Sequence, residues 1–415
     1  MASIGVIHNA VSSDVATAET SYQAVLESDA LTNGTTYHVI CHATHAQASH
    51  NALTYYQIID KTNGDAVLDQ STMVRKFYGR NKGQSYFYLG KITAGGDGGG
   101  IELQQKVASG TVTTEFVSMM LLDLSNMDEA DYFFASDSTA TEHTTSYVDR
   151  ASITNPDPRT NDEYVVWGWL STTMDDTTAS VDAYLSSTEA AVGATHPRAN
   201  YEAKDAGAQL NTMFCRYYEY GGVNKDITWK ISSKDESGGS ALNDYEASAI
   251  LGLRLNAFKN FSGTYEDTET VNTTTGYQGL ETISLTPTNS GGVIATACCV
   301  WSPTAANFTS QVRIQVDGST SPNAAPDSAL AANPNDAGDE LPLSYITKYS
   351  GSAATAATLD LDVAKTVSNS VGWSMRSLVA FTEELQDGDV SHKNNVTGLR
   401  SGSRLGNFRN KRIRR

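Results

Sequence analysis

The residues that first suggest a metal site are four histidines, His38, His42, His45 and His50, which lie around Cys41. Zinc requires ligands that converge in a tetrahedron. On an extended strand His38 and His42 share one face, whereas Cys41 and His45 share the other, so a strand does not present them all to one ion. We therefore expect structural histidines and no metal. A metal site built together with a partner chain is the alternative.

Paired carboxylates could suggest a glycosidase, which holds two of them about 5–10 Å apart across a sugar. Such pairs occur at Asp175/Asp176, Asp360/Asp362 and Asp387/Asp389. A chain with 47 acidic residues offers pairs by composition alone, and the leucines that alternate with Asp360 and Asp362 place this pair on the wet face of a strand. The sequence has no Gly-x-Ser-x-Gly elbow and no Walker loop. We predict no catalytic residue, no cofactor and no enzymatic activity.

The charge is divided sharply along the chain. From Lys393 onward there are eight basic residues and no acidic one, whereas the preceding part has 21 basic and 47 acidic residues, a formal charge of −26. A segment of this composition does not form a core of its own. We predict a basic C-terminal arm that docks on an acidic surface of a neighbouring subunit. Its docking residues would be Lys393, Arg400, Arg404, Leu405, Phe408, Arg409, Lys411, Arg412, Ile413, Arg414 and Arg415.

Two alternatives for this tail stay open. Basic side chains also bind the phosphate backbone of nucleic acids, and a charged tail that only increases solubility needs no partner. The apolar residues between the charges, together with the acidic body, favour docking on protein.

The composition limits what the rest of the chain forms. With 415 residues, two to four domains are expected. Hydrophobic residues reach 40%, enough for real cores, and no apolar run approaches the roughly 20 residues that span a bilayer. An acidic body also argues against electrostatic binding of duplex nucleic acid. The first 19 residues contain no Lys or Arg, unlike a secretory signal, so the four scattered cysteines are expected to be free thiols.

A pattern of about 130 residues recurs three times and predicts the fold. An early apolar strand starts near residues 37, 164 and 293, and a closing apolar strand covers residues 116–124, 249–258 and 373–381. Between them, segments such as 85–92 and 101–107 flank a glycine-rich turn, for which we predict a hairpin. The returning strands alternate with period two, so one face is buried.

These repeats predict an all-β protein of three tandem antiparallel β-sandwich, jelly-roll-like domains with a basic C-terminal arm. The predicted boundaries are an N-terminal arm at 1–21, sandwiches at 22–140, 141–262 and 263–386, and the tail at 387–415. Trp167 and Trp169 share one strand face, which favours a core role over sugar stacking.

The Ala-, Ser-, Thr- and Asn-rich strands, the three modules and the terminal arm resemble virion structural proteins of tailed bacteriophages. The segment Ser374–Phe381 is similar to the last strand of jelly-roll domains that pack as trimers. The resemblance implies a non-enzymatic, homo-oligomeric virion component of the capsid decoration, vertex-fibre or tail-associated type. It would bind other virion proteins without a membrane, and would assemble in the host cytoplasm.

Two other functions are consistent with the sequence. A tail or neck protein would share the same architecture, and a carbohydrate-binding or carbohydrate-cleaving surface protein would use tyrosine- and tryptophan-rich strands such as residues 164–170. The position on the particle, the oligomeric number and the docking partner are not encoded in any motif.

Overall fold

The structure is a computed structural model. It describes residues 2–11, 14–47, 53–69, 71–76, 83–96, 98–155, 158–159, 161–174, 180–188, 197–202, 208–221, 226–236, 243–272, 275–303, 310–320, 329–330, 340–365 and 370–386. Among these residues, no helix has the length and apolar character needed to cross a lipid bilayer.

The first third of the chain forms two antiparallel sheets. Its strands are β1 (Gly5–Val11), β2 (Val15–Thr17), β3 (Gln23–Glu27), β4 (Thr36–Gln47), β5 (Leu53–Asp60), β6 (Ala66–Val67), β7 (Met73–Lys76), β8 (Gly83–Thr93), β9 (Ile101–Val107) and β10 (Val112–Asp123). Inner sheet 1 has the order β1-β10-β4-β8, with β2 also on β10. Outer sheet 1 has the order β3-β9-β5-β6, with β7 also on β5. A 3-10 turn at Lys61–Asn63 follows β5.

The middle third repeats this arrangement. Its strands are β11 (Tyr132–Asp137), β12 (Thr141–Glu142), β13 (Val148–Asn155), β14 (Glu163–Met174), β15 (Ser180–Ser187), β16 (Arg198–Glu202), β17 (Ala208–Glu219), β18 (Ile227–Asp235) and β19 (Asp244–Arg254). Inner sheet 2 has the order β11-β19-β14-β17, with β12 on β19, and outer sheet 2 has the order β13-β18-β15-β16. A 3-10 turn at Leu255–Ala257 ends this part.

The last third forms the third pair of sheets. Its strands are β20 (Phe261–Glu266), β21 (Thr270–Asn272), β22 (Gln278–Leu285), β23 (Gly291–Pro303), β24 (Ser310–Val316), β25 (Ser319–Thr320), β26 (Ala329–Leu330), β27 (Leu341–Gly351), β28 (Ala357–Lys365) and β29 (Val371–Thr382). Inner sheet 3 has the order β20-β29-β23-β27, with β21 on β29. Outer sheet 3 has the order β22-β28-β24-β25, with β26 on β24.

The three pairs share one strand order. Numbering the eight main strands of each third from 1 to 8, the inner sheet is 1-8-3-6 and the outer sheet is 2-7-4-5. This is the order of a jelly roll, an eight-stranded double sheet built from two Greek keys. The all-β, antiparallel, jelly-roll-like fold is therefore confirmed. The ranges proposed for independently folding domains remain a prediction.

The inner sheets are buried on both faces, which explains why their central strands are such long apolar runs. In β4, β14 and β23, residues 37–45, 164–172 and 293–301 are all buried. A strand that is buried on both faces has no polar side, so its apolar residues run continuously. The outer sheets alternate instead, as in β22, where buried Ile283 and Leu285 are separated by exposed Ser284.

Residues of all three inner sheets meet in one hydrophobic cluster. Met119 of inner sheet 1, Cys215 of inner sheet 2 and Phe381 of inner sheet 3 belong to it, and each is at most 1% exposed. The second faces of the inner sheets are therefore packed against one another. Three sheet pairs thus form one body around a shared interior.

Three predictions differ from the structure. Residues 1–21, predicted to be an arm, contain β1 and β2, which pair with β10. The predicted hairpins are also wrong: β8 lies in an inner sheet and β9 in an outer sheet, and the same holds for β17 and β18 and for β27 and β28. The glycine-rich connection crosses from an inner sheet to an outer sheet. The second strand then pairs with strands that are farther away in the sequence. Similarly, β11 lies within the range predicted for the first sandwich but pairs with β19 of the second.

Candidate functional site: the junctions between the inner sheets

Each inner sheet ends in an edge strand, and these edges determine how the three sheets meet. The edge strands in question are β8, β17 and β27. An edge strand carries backbone N–H and C=O groups that need partners when they are buried. Here β8 contacts inner sheet 2, β17 contacts inner sheet 3, and β27 contacts inner sheet 1. The contacts form a closed ring with three junctions, numbered 1, 2 and 3 in that order.

At junction 1 both backbone polar groups of one edge residue, Phe87, form hydrogen bonds with side chains of inner sheet 2. The amide of Phe87 donates to Asn211 Oδ1 at 2.7 Å, and its carbonyl accepts from Trp169 Nε1 at 2.9 Å. The indole is 2% exposed. Trp169 thus combines a large buried apolar surface with one hydrogen bond, and the predicted core role of this tryptophan is confirmed.

At junction 2 serine hydroxyls make the equivalent bonds. Ser344 Oγ donates to the carbonyl of Met213 at 2.6 Å, and Ser377 Oγ accepts from the amide of Tyr217 at 2.9 Å. Trp167 Nε1 also crosses this junction, donating to Thr296 Oγ1 at 3.1 Å. The second tryptophan of the pair is thus also buried in the interior.

Junction 3 closes the ring between the end of the chain and its beginning. Ser118 Oγ donates to the carbonyl of Ile346 at 2.9 Å, and His8 Nε2 lies 3.0 Å from the same hydroxyl. Lys348 Nζ donates to the carbonyl of Val6 at 3.3 Å. Nearby, the amide of Ile4 donates to the carbonyl of Glu383 at 3.0 Å. The two ends of the described chain therefore meet.

The strand registers place Ser118 and Ser377 at equivalent positions of inner sheets 1 and 3. Ser118 pairs with His42 on the central strand, and Ser377 pairs with Cys298. Inner sheet 2 has Ala249 at this position, which has no hydroxyl. The ring thus has a threefold repeat in its backbone and a different set of side chains at each junction.

Junction 2 also contains a pocket of about 280 Å³ that is open to solvent. It lies between the end of β17 and the middle of β20, and Ser187 and Ile227 of outer sheet 2 complete its lining. The lining residues are Ser187, Arg216, Tyr217, Tyr218, Glu219, Ile227, Gly263, Thr264 and Tyr265. Three of them carry phenol rings, one a guanidinium and one a carboxylate.

Arg216 forms the charged wall of this pocket. Its guanidinium carbon lies 4.0 Å from the ring centre of Tyr265 and 4.6 Å from that of Tyr218. Arg216 is 3% exposed, so the cation lies against the two rings in a place where water is scarce. Burial raises the pKa of Tyr218 to about 12 and also raises that of Tyr265. Both phenols are therefore neutral donors at pH 7.

Tyr217 lies against the backbone of Gly263, and this contact requires a glycine. A Cβ atom built at Gly263 would be 2.5 Å from Tyr217 Cδ2. The phenol itself donates to Glu163 Oε2 at 2.5 Å, and burial raises the pKa of that carboxyl. Because both its amide and its hydroxyl are bonded, Tyr217 is a fixed wall of the pocket.

The other junctions are filled at the position that Gly263 occupies. By register, Gly263 on β20 is equivalent to Phe134 on β11 and His8 on β1. Phe134 packs edge-on against His38, with ring centres 5.1 Å apart. Junction 1 retains a smaller cavity of about 120 Å³, which includes Trp169 in its lining. Junction 1, with a phenylalanine at this position, thus has a smaller cavity than junction 2, with a glycine.

The predicted histidine group does not converge. His38 contacts Phe134, His42 stacks on Phe87 with ring centres 4.9 Å apart, and His45 stacks on Tyr56 at 4.5 Å. His50 lies outside the described residues. Within the described ranges no group of three or more His, Cys, Asp or Glu side chains could hold a metal ion. Burial lowers the pKa of His38 to about 4 and that of His42 to about 3.

The remaining candidates from the sequence are the carboxylate pairs and the cysteines. Asp362 forms an ion pair with Arg313 at 3.0 Å, and Asp360 Oδ1 accepts from Thr282 at 2.6 Å. The pairs at 175/176 and 387/389 lie outside the described residues. The free cysteines are Cys41, Cys215, Cys298 and Cys299, all buried, and burial raises the pKa of each.

The basic tail also lies outside the described residues, since the description ends at Gln386. This holds for all the predicted docking residues: Lys393, Arg400, Arg404, Leu405, Phe408, Arg409, Lys411, Arg412, Ile413, Arg414 and Arg415. Their role remains a prediction. Sequence reasoning missed the pocket, although Arg216 among the tyrosines of an edge strand was a signal for it.

The chain matches no protein-family model and no curated protein sequence. Among solved structures, it is similar to an archaeal virus chain described as having the triple jelly roll fold, with 10% identity over 91% of this chain and 92% of the other, at a TM-score of 0.17. A chain of Sulfolobus Turreted Icosahedral Virus is 11% identical over 86% and 84%, with a TM-score of 0.19. Eiger TNF from S. frugiperda is 12% identical over 31% and 97%, with a TM-score of 0.23. TM-scores this low establish neither a common fold nor a common function.

Proposed function

We propose that the chain is a non-enzymatic structural component of a virus particle. The observation that carries the proposal is the closed ring of three junctions, in which each edge strand is sealed by the next inner sheet. A free β-edge pairs readily with other chains. Sealing it inside one chain yields a block of fixed size whose outward surfaces are the outer sheets and their loops.

A single-chain ring of this kind suits a lattice or particle position because it does not depend on subunit concentration for its own integrity. A ring of three separate subunits would dissociate on dilution, whereas covalently linked units keep a high effective concentration. The ring is large relative to any one sandwich, which gives it several outward faces for contacts with neighbours. These properties favour a structural role over one that depends on a flexible cleft.

The finer assignment is part of the same proposal. The component would belong to a bacteriophage capsid as a decoration, vertex or fibre protein that forms homo-oligomers in the host cytoplasm, and the basic tail would dock it. The amide of Leu385 donates to the carbonyl of Ala2, and that of Gln386 to the carbonyl of Ala257. These bonds fix the point from which the tail leaves the body, next to the beginning of the chain.

The test compares the full chain with a variant lacking residues 387–415. We expect the full-length protein to form oligomers by sedimentation and electron microscopy and to bind purified particles of the virus that encodes it. The truncated protein should keep its fold and melting temperature but lose particle binding. A protein that stays monomeric at high concentration and never sediments with particles would contradict the proposal. Loss of salt-sensitive DNA binding on truncation would instead favour the nucleic-acid alternative for the tail.

A further inference from the structure

We infer that the pocket at junction 2 is a binding site for an uncharged saccharide ring. The inference is independent of the virion role, since it depends only on the walls of this pocket. Its volume of about 280 Å³ lies just below the range of pockets for drug-sized ligands, which begins at about 300 Å³. A single sugar ring is smaller than such ligands and matches this space.

The aromatic walls supply the apolar part of the recognition. Tyr217 and Tyr265 are half-buried, line the pocket, and belong to strands β17 and β20. Tyrosine offers a large contact area at a low cost in side-chain entropy. The C–H face of a pyranose is flat and apolar, and it fits against such a ring.

The polar walls supply both donors and acceptors. Arg216 only donates, Glu219 only accepts, and the hydroxyls of Ser187 and Thr264 do either. A sugar ring carries several hydroxyl groups, each of which both donates and accepts hydrogen bonds. Such a ring can therefore pair with the donors and with the acceptors of these walls. This mixture distinguishes the site from a purely cationic pocket.

The charges argue for a neutral ligand. The Arg216 guanidinium carbon lies 4.6 Å from the ring centre of Tyr218 and 4.0 Å from that of Tyr265, while Glu219 of the lining is exposed. The protein also carries a formal net charge of −18. An anion would meet a like charge at the entrance and an acidic body around it, whereas a neutral sugar would not.

The geometry is particular to junction 2. Gly263 leaves the room for Tyr217 to form a wall, whereas the equivalent residues at the other junctions, Phe134 and His8, are large rings with contacts inside the body. Sealing the inner sheets does not require the pocket, because Ser344 and Ser377 already make the bonds across this junction. The pocket is therefore an addition to the structural ring.

The experiment uses the full chain and saturation-transfer NMR with the methyl glycosides of glucose, galactose and mannose and with N-acetylglucosamine, with acetate as a charged comparison. We expect saturation transfer to at least one of the sugars and none to acetate. Ser187→Phe, which fills the pocket, and Tyr265→Ala, which removes a wall, should each weaken binding at least about tenfold. Tyr265→Phe should stay close to the wild type because the ring remains.

The control is Val67→Ala, because Val67 is 49% exposed and lies outside the pocket. It should leave sugar binding unchanged. A cooperative melting transition near that of the wild type shows that each variant is folded. No transfer to any of the sugars, transfer to acetate alone, or sugar binding that survives Ser187→Phe in a folded protein would each overturn the inference.

Discussion

Junctions 1 and 2 join equivalent strands of the inner sheets but contain different side chains. At junction 1, Trp169 and Asn211 seal the edge of β8, and Phe134 fills the space beside it. At junction 2, two serines seal the edge of β17, and a pocket that is open to solvent lies beside Gly263, with tyrosines in its walls. The difference teaches that closing the ring needs only a few hydrogen bonds per junction. The remaining volume of a junction is free to take on another role.

The comparison also separates two kinds of stability. Both junctions bury an indole, that of Trp169 at junction 1 and that of Trp167 at junction 2, and each contributes through apolar area. The serines of junction 2 contribute through hydrogen bonds whose net value is about 1 kcal/mol each. We therefore expect truncation of a junction tryptophan to cost more than removal of a junction serine hydroxyl.

The largest expected effect is that of Trp169→Ala. The substitution removes a side chain that is 2% exposed and leaves the carbonyl of Phe87 without its donor. A buried Trp→Ala change costs about 3–5 kcal/mol. Urea unfolding should show this loss in the free energy of unfolding, and Val67→Ala, at a side chain that is 49% exposed, should lose less than about 1 kcal/mol. Equal losses in the two variants would show that junction 1 is not a stabilising contact.

Next in size is Gly263→Ala at junction 2. The new methyl group would lie 2.5 Å from the Tyr217 ring, which is held by bonds to Ser377 and Glu163. Overpacking of this kind costs about 1–3 kcal/mol. Gly252→Ala is the control, because its methyl group would lie 3.5 Å from Phe133, an ordinary contact. Thermal unfolding should separate the two variants, and equal melting temperatures would show that Tyr217 moves aside freely.

Lowering the pH should destabilise junction 1 more than junction 2. At junction 1, burial, with Lys91 nearby, lowers the pKa of His38 to about 4, whereas an unfolded chain has a His pKa near 6.5. Between these values the unfolded state binds more protons, so stability falls as the pH drops from about 6.5 to about 4. The equivalent position on β14 is Val165, which does not titrate.

The change to make is His38→Phe, which keeps a ring against Phe134 and removes the titration. Unfolding free energies measured from pH 7 to pH 4 should fall less steeply in the variant than in the wild type, by about 1–3 kcal/mol over the range. Burial also lowers the pKa of His42, and this histidine remains in the variant. His38→Phe therefore removes only part of the pH dependence. Parallel pH profiles would show that His38 is not neutral in the folded protein.

Much of this architecture was predictable from local patterns. The apolar segments at 37–43, 164–170 and 293–301 are the central strands of the inner sheets, and their spacing revealed the repeat. The hairpins were mispredicted because alternation and glycine turns define a strand and its end but not its partner. The partner of β9 is β5 on one side and β3 on the other, and no local pattern encodes such pairing.

The pocket was beyond sequence reasoning for a related reason. Arg216 and Tyr265 are far apart in the chain, and they meet only because β17 of one sheet pair packs on β20 of the next. A strand that is buried on both faces also conceals which face meets a neighbour. The long apolar runs of β4 and β14 therefore predicted burial, but not burial against another inner sheet.

The smallest expected effect compares the two equivalent serines. Ser377→Ala leaves the amide of Tyr217 without its acceptor, and Ser118→Ala leaves the carbonyl of Ile346 without its donor. Each change should cost about 1–2 kcal/mol, because a buried polar group loses its partner. Ser118 is fully buried, whereas Tyr217 borders the pocket, where water can replace the lost acceptor. We therefore expect the larger loss for Ser118→Ala in urea unfolding, and the reverse order would mean that junction 3 is the better hydrated of the two.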